Sequence, residues 1–209
     1  MKGSPLQEAV AAARRGALIV IPTDTVYGIG TRPDDQAATA LVFAAKDRPS
    51  ELTLPVLAAT ATQARKVGAF DARAEAVIAM FWPGPLTLIL PRTEFSAAWD
   101  LGGDRDTVGI RVPNHPLARA VLAETGPLAV SSANRSGEPP ARTCEQLLAA
   151  FGDSVSVYLC QDDALEGLAS TVLDLAHGPA RILREGDVTA RHLAELLPGE
   201  GPLLDSGPS

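Results

Sequence analysis

Apolar and polar positions alternate between two periods along the chain, and the switches mark out the elements. Ser4-Pro5-Leu6-Gln7 reads as a capping box with proline at the first helical position. Leu6, Val10 and Ala13 then recur at helical spacing until Gly16 stops the helix. The apolar run 17–22 predicts a buried strand ending at a proline. Residues 35–46 predict a helix with Leu41, Val42 and Ala45 on one face, closed by Lys46-Asp47-Arg48-Pro49. A short strand is predicted at 54–58 and helices at 60–67 and 71–81. The rigid corner Trp82-Pro83-Gly84-Pro85 leads into a strand at 86–91. Residues 94–104 read as an irregular loop around Gly102-Gly103.

A strand at 107–112, a helix at 115–124 and a strand at 128–130 follow. Beyond them come a helix at 143–150, strands at 155–160, 170–175 and 180–184, and a helix at 189–197. Interleaved strands and helices predict an α/β fold in a single domain over 1–197, with a twisted mixed parallel/antiparallel sheet and flanking helices. The close spacing of the last three strands predicts antiparallel pairing among them. Residues 198–209, rich in turn formers, predict a disordered tail.

Composition narrows the function classes. The 209 residues are 46% hydrophobic and 21% charged, as in ordinary soluble domains, and no run approaches a membrane span. No signal peptide is read at the N-terminus, so a cytoplasmic location is expected. Net charge is −7, which argues against a protein that grips nucleic acid mainly through phosphates; at most weak RNA contact is expected. The two cysteines, Cys144 and Cys160, are expected to be unpaired thiols in a reducing compartment. No histidine sits in a metal-ligand spacing, so no protein metal site is expected.

Candidate chemistry gathers at element ends. Thr23, Asp24, Thr25 and Tyr27 follow the first strand, where they are either turn residues or a small-ligand site. Lys46 and Arg48 stand where cations offset a helix dipole or meet an anion. Arg111, inside an apolar strand, must be paired with an acid or face a cleft. Ser132 and Asn134 close another strand, as turn residues or as ligands, and Ser170 and Arg184 flank two later strands. No Gly-x-Ser-x-Gly, Gly-x4-Gly-Lys-Ser/Thr or Gly-x-Gly-x-x-Gly motif is present. Cations with hydroxyls and an amide suit phosphoryl or nucleotidyl transfer, which rests on positioning and charge stabilisation.

Six segments occur in an order that resembles a known family. They are Pro22-Thr23-Asp24-Thr25-Val26-Tyr27-Gly28, Lys46-x-Arg48-Pro49, Trp82-Pro83-Gly84-Pro85-Leu86-Thr87, Val108 through His115, Ser132-Ala133-Asn134-Arg135-Ser136-Gly137 and Ser170-Thr171-Val172. The set, spanning about 16–186, is similar to the YrdC-like family of TsaC-type threonylcarbamoyl-adenylate synthases, in the short single-domain form. The resemblance implies that threonine, bicarbonate and ATP give threonylcarbamoyl-adenylate, pyrophosphate and water. A downstream tRNA threonylcarbamoyl-transferase complex would use the product for N6-threonylcarbamoyladenosine.

By matching position, the resemblance implies Thr25, Tyr27, Arg111 and Ser170 at threonine. It implies Lys46, Arg48, Ser132 and Asn134 as the catalytic set, and Lys46, Arg48, Thr107, Asn134, Arg142 and Arg184 at ATP. Magnesium is implied on the phosphates, held by substrate and water. Three departures stand out: Ser50-Glu51-Leu52-Thr53-Leu54-Pro55 where the family often has Pro-Leu sooner, Leu57 where a histidine is common, and Arg142 within Ala141-Arg142-Thr143. The alternative is a non-catalytic double-stranded RNA or ribosome-binding module of the same fold. A third reading is a paralogue acting on another carbamoyl donor.

Overall fold

The computed structural model describes residues 3–49 and 51–204. Within them the chain forms α1 (Pro5–Arg14), β1 (Ile19–Ile21), β2 (Gly28–Thr31), α2 (Gln36–Lys46), β3 (Val56–Leu57), α3 (Ala61–Val67), α4 (Ala72–Phe81) and β4 (Leu86–Pro91). There follow β5 (Thr107–Arg111), α5 (Pro116–Thr125), β6 (Leu128–Ser132), α6 (Cys144–Phe151), β7 (Val157–Tyr158), β8 (Thr171–Asp174), β9 (Arg181–Arg184) and α7 (Ala190–Ala194). The nine strands make one mixed sheet in the order β7-β1-β2-β6-β3-β5-β4-β8-β9. Pairing is parallel at β1–β7, β3–β5 and β4–β8 and antiparallel elsewhere.

Local chemistry explains the element ends. The Ser4 hydroxyl accepts the Gln7 amide and the Gln7 side chain returns the bond, completing the capping box at Pro5. Asp35 caps α2 by accepting from the amides of Ala37 and Ala38. The helix ends as Asp47 turns into the left-handed region at φ 48°, which leaves Lys46 as its last residue.

The sheet is buried on both faces near β1. Val20 joins Tyr27, Ile29, Val56, Leu88 and Ile110 in the larger core. Ile19 and Ile21, one step away on a period of two, join Val10, Val121, Leu122 and Leu128 under α1 and α5.

Three expectations change. Residues 28–31 form β2, a strand the sequence pattern does not announce, because two of its four residues are glycine. Those glycines let β6 approach: a Cβ on Gly30 would lie 2.3 Å from the Ala129 carbonyl oxygen. The strand at 155–160 shortens to β7 and pairs in parallel with β1 at the far edge of the sheet, so of the last three strands only β8 and β9 pair with each other, antiparallel as expected. The tail folds back at its start. The Ile182 amide donates to the Leu203 carbonyl at 2.7 Å, Leu203 is 5% exposed, and Glu200 pairs with Arg73. Residues 205–209 lie outside the described ones.

Candidate active site

A cavity of about 280 Å³ lies on one face of the sheet. The pleat selects its lining. Along β5, Thr107, Gly109 and Arg111 face it while Val108 and Ile110 face the core. Along β4, Thr87 and Ile89 alternate in the same way with Leu86 and Leu88. Val130, Ser131 and Ser132 of β6, Val172 of β8 and Leu57 of β3 add to the lining. Thr23, Thr25, Tyr27, Arg48, Ser170 and Arg184 form the walls.

Arg111 is the most buried of the cations that line the cavity, 5% exposed. Its Nε donates to the Gly84 carbonyl at 2.9 Å, Nη1 to Thr25 Oγ1 at 2.7 Å and Nη2 to Asp24 Oδ1 at 2.5 Å. Burial pulls this guanidinium below its ordinary pKa, and Asp24 opposes the shift. The Trp82–Pro85 corner thereby serves the site, since it presents the Gly84 carbonyl to Arg111. Thr25 is held in turn by Thr23, whose hydroxyl lies 3.0 Å away and donates to the Val26 carbonyl at 2.6 Å. Across the cavity, the Ser170 and Thr87 hydroxyls are 2.9 Å apart, and Arg184 donates to both the Ser170 carbonyl (3.0 Å) and its hydroxyl (3.2 Å).

Lys46 reaches the site from behind. It is 1% exposed and does not line the cavity. Its ammonium donates to the carbonyls of Ser132 and Asn134, and the Asn134 side-chain oxygen lies at 3.4 Å. Burial, with a smaller push from Arg48, lowers its pKa to about 8. A neutral amine keeps two N–H groups, so both carbonyls remain served in either state. Arg48 is held to the cavity wall through the carbonyls of Leu52 (3.4 Å) and Thr53 (3.2 Å). The Asn134 amide group donates to the carbonyls of Arg135 and Glu138, which fixes the turn after β6.

The sheet thus brings Thr25, Tyr27, Arg48, Thr107, Arg111, Ser132, Ser170 and Arg184 to one cavity. Lys46 and Asn134 stand just outside, and Arg142 lies away from the lining. Of the departures, Leu57 lines the cavity at 6% exposure, Leu52 is exposed away from it, and Ser50 lies outside the described residues. Thr87 is a lining residue that the sequence reading does not single out, although a lone hydroxyl in the apolar strand 86–91 is a readable signal. Asp24 does more than close a turn, because it holds Arg111. Among the described residues none that lines the cavity is a carboxylate, while Arg48, Arg111 and Arg184 all do, so the lining is basic in a chain of charge −7.

The cysteines correct a further expectation. Cys144 and Cys160 are joined in a disulfide, their Cα atoms 5.7 Å apart. Because β7 adds to β1 at the sheet edge, its end delivers Cys160 beside the first turn of α6, a meeting that a spacing of 16 in sequence does not reveal.

A family model for the Sua5/YciO/YrdC domain, described as telomere recombination, matches residues 11–186. The chain belongs to the Sua5/YciO/YrdC family. Among its relatives, the threonylcarbamoyl-AMP synthase of Chromohalobacter salexigens is 41% identical over 177 residues, 83% of this chain and 94% of that one. The crystal structure of Pyrococcus abyssi Sua5 complexed with L-threonine superposes with a TM-score of 0.87 at 31% identity, covering 96% of this chain and 59% of that longer one. Escherichia coli YciO gives a TM-score of 0.79 at 26% identity, covering 88% and 91%. The Sua5/YciO/YrdC match runs from α1 to just past β9, so it contains every strand of the sheet. Among the described residues, no helix is long and apolar enough to cross a membrane.

Proposed function

We propose that this chain is an L-threonylcarbamoyladenylate synthase, a nucleotidyltransferase that joins L-threonine, bicarbonate and ATP. The observation that carries the reading is the cavity itself: arginines and hydroxyls converge on one sheet face, with no carboxylate among the described residues that line it. The names of the synthase relatives and the threonine complex of Pyrococcus abyssi Sua5 support it.

In this reading the threonine amine and bicarbonate combine to a carbamate with loss of water. A carbamate oxygen attacks the α-phosphorus of ATP, forming the new P–O bond as the bond to pyrophosphate breaks. No covalent enzyme intermediate is required. Arg111 uses three of its five N–H groups on Gly84, Thr25 and Asp24, which leaves two for the threonine carboxylate. Thr25 and Ser170 offer hydroxyls to the same substrate, and Tyr27 forms a wall.

Arg48, Thr107 and Arg184 take the nucleotide, with Arg142 reaching it only if its side chain swings inward. Ser132 and Asn134 orient the carbamate and phosphate, and Lys46 supports both from below while adding charge in a poorly solvated place. Magnesium would ride on the ATP phosphates. Among the described residues no cluster of three or more acids, histidines or cysteines could cage it, and the basic lining suits an ion carried by substrate and water. The product would pass to a tRNA threonylcarbamoyl-transferase complex in the cytoplasm.

The test is product analysis by mass spectrometry and pyrophosphate release, with ATP, threonine and bicarbonate omitted in turn. Ser132→Ala or Lys46→Ala should lower turnover by about 100-fold. Wild-type rates in both variants would overturn the site assignment. Tight RNA binding without turnover would favour the binding-module alternative.

A further inference from the structure

Residues 161–170 run without helix or strand from β7 to β8, along the side of the cavity formed by Thr25 and Tyr27. The strap is held at Ser170 by Thr87 and Arg184 and at the Gln161 side chain by His115 at 3.1 Å, and three further contacts lie along it. The Gln161 amide donates to the Tyr27 hydroxyl at 3.2 Å. The Leu165 amide donates to the Arg142 carbonyl at 3.0 Å. Gly167 lies so close to Thr25 that a Cβ there would sit 2.4 Å from the Thr25 carbonyl oxygen. The strap ends at Ala169 and Ser170, which line the cavity.

The disulfide anchors the start of that strap. Cys160 directly precedes Gln161, and Cys144 opens α6 two residues after Arg142. One covalent bond therefore ties together the two segments that the Leu165–Arg142 hydrogen bond joins. Both cysteines are partly exposed, Cys160 also packing against the core. Cys144 occupies the first position of α6, where the helix dipole favours a thiolate and makes it a good leaving group in exchange.

We propose that Cys144–Cys160 is a thiol–disulfide exchange site that controls the strap. The oxidised form holds residues 161–170 against Thr25 and Tyr27; the reduced form leaves them on non-covalent contacts alone. An external dithiol supplies the two electrons and two protons. Its first thiolate attacks one cysteine sulfur, forming a mixed disulfide as the Cys144–Cys160 bond breaks and the other cysteine leaves as a thiolate. Its second thiol then closes the reagent's own disulfide and releases the remaining cysteine. The effect on substrate rests on the threonine-pocket reading above; the release of the strap does not.

The test uses the full chain purified without reductant and equilibrated in graded mixtures of reduced and oxidised dithiothreitol. Alkylation and intact mass count the thiols, hydrogen exchange reads the strap, and steady-state kinetics read the site. Two thiols should appear together. Exchange in residues 161–170 should quicken by about tenfold on reduction, while α1 stays unchanged. The KM for threonine should rise by about threefold or more, with kcat changing less than about twofold. The double variant Cys144→Ser/Cys160→Ser should match the reduced form and ignore dithiothreitol; if it does not fold, the two wild-type forms carry the comparison. Equal strap exchange in both forms, or two thiols that persist in excess oxidised dithiothreitol, would overturn the proposal. A strap that responds in a protein making no adenylate would uphold the switch and reject the pocket reading instead.

Discussion

Arg111 and Asp24, 87 residues apart in the chain, meet at 2.5 Å beneath the cavity, where the same carboxylate oxygen also accepts the Asn114 amide at 3.0 Å. The pair links the end of β1 to the end of β5 and sets the direction of the deepest guanidinium in the site.

Breaking that pair leaves a buried cation without its partner. Asp24→Ala should lower unfolding free energy by about 3 kcal/mol in urea titration. Arg111→Lys loses the planar fork that serves Gly84, Thr25 and Asp24 together, and should raise the KM for threonine by about tenfold or more. A Lys variant with unchanged threonine affinity would remove Arg111 from the carboxylate site.

Lys46 gives two opposite pH trends. Its pKa falls from 10.5 to about 8 in the folded chain, so between these values the unfolded chain binds more protons. Stability contributed by this group therefore rises with pH across that window. Binding of a non-hydrolysable ATP analogue should weaken as pH passes about 8, because the cation is lost. Calorimetry should show both trends in the wild type and neither in Lys46→Arg.

Gly167 is a steric gauge of the strap. Gly167→Val places a side chain against the Thr25 carbonyl and should displace one segment or the other. Stability should drop by about 1–3 kcal/mol in thermal unfolding, with a larger relative loss in threonine binding than in ATP binding. Equal losses for both substrates would mean that the strap does not sit at the threonine end.

His177 stands between Asp174 and Asp104, which raise its pKa above 6.5. Its contribution to stability is present below 6.5 and is lost as pH rises through the folded value. The side chain is half exposed, so the change should stay under about 1 kcal/mol. His177→Ala should flatten stability between pH 6 and 8, measured by urea midpoints at each pH. Asp104 also accepts the Thr107 hydroxyl at 2.7 Å, and a small shift in ATP affinity should accompany the variant.

The helices and the longer strands are legible in the sequence because caps and apolar periods are local. The capping box at Ser4 and the alternation in 86–91 and 107–112 need no partner to be read. What stays hidden depends on contacts across the chain. β2 is short and half glycine, and its strand character comes from β1 and β6 on either side. β7 exists through β1, and the disulfide through β7. In the site, the six ordered segments carry most of the residue set, with Thr107, Arg142 and Arg184 outside them, whereas the inward placement of Lys46 and the outward placement of Arg142 follow from where α2 ends and where α6 begins.

The strand order has a consequence for synthesis. β2 must wait for β6, about 100 residues later, and β4 must wait for β8. A growing chain therefore exposes the glycine-rich edge of β2 for much of its translation and cannot assemble either wall of the cavity against the other until residue 184 has emerged. Acquisition of substrate binding is thus a late event in biogenesis, and partial chains ending before β8 should be recognised by chaperones rather than by ATP.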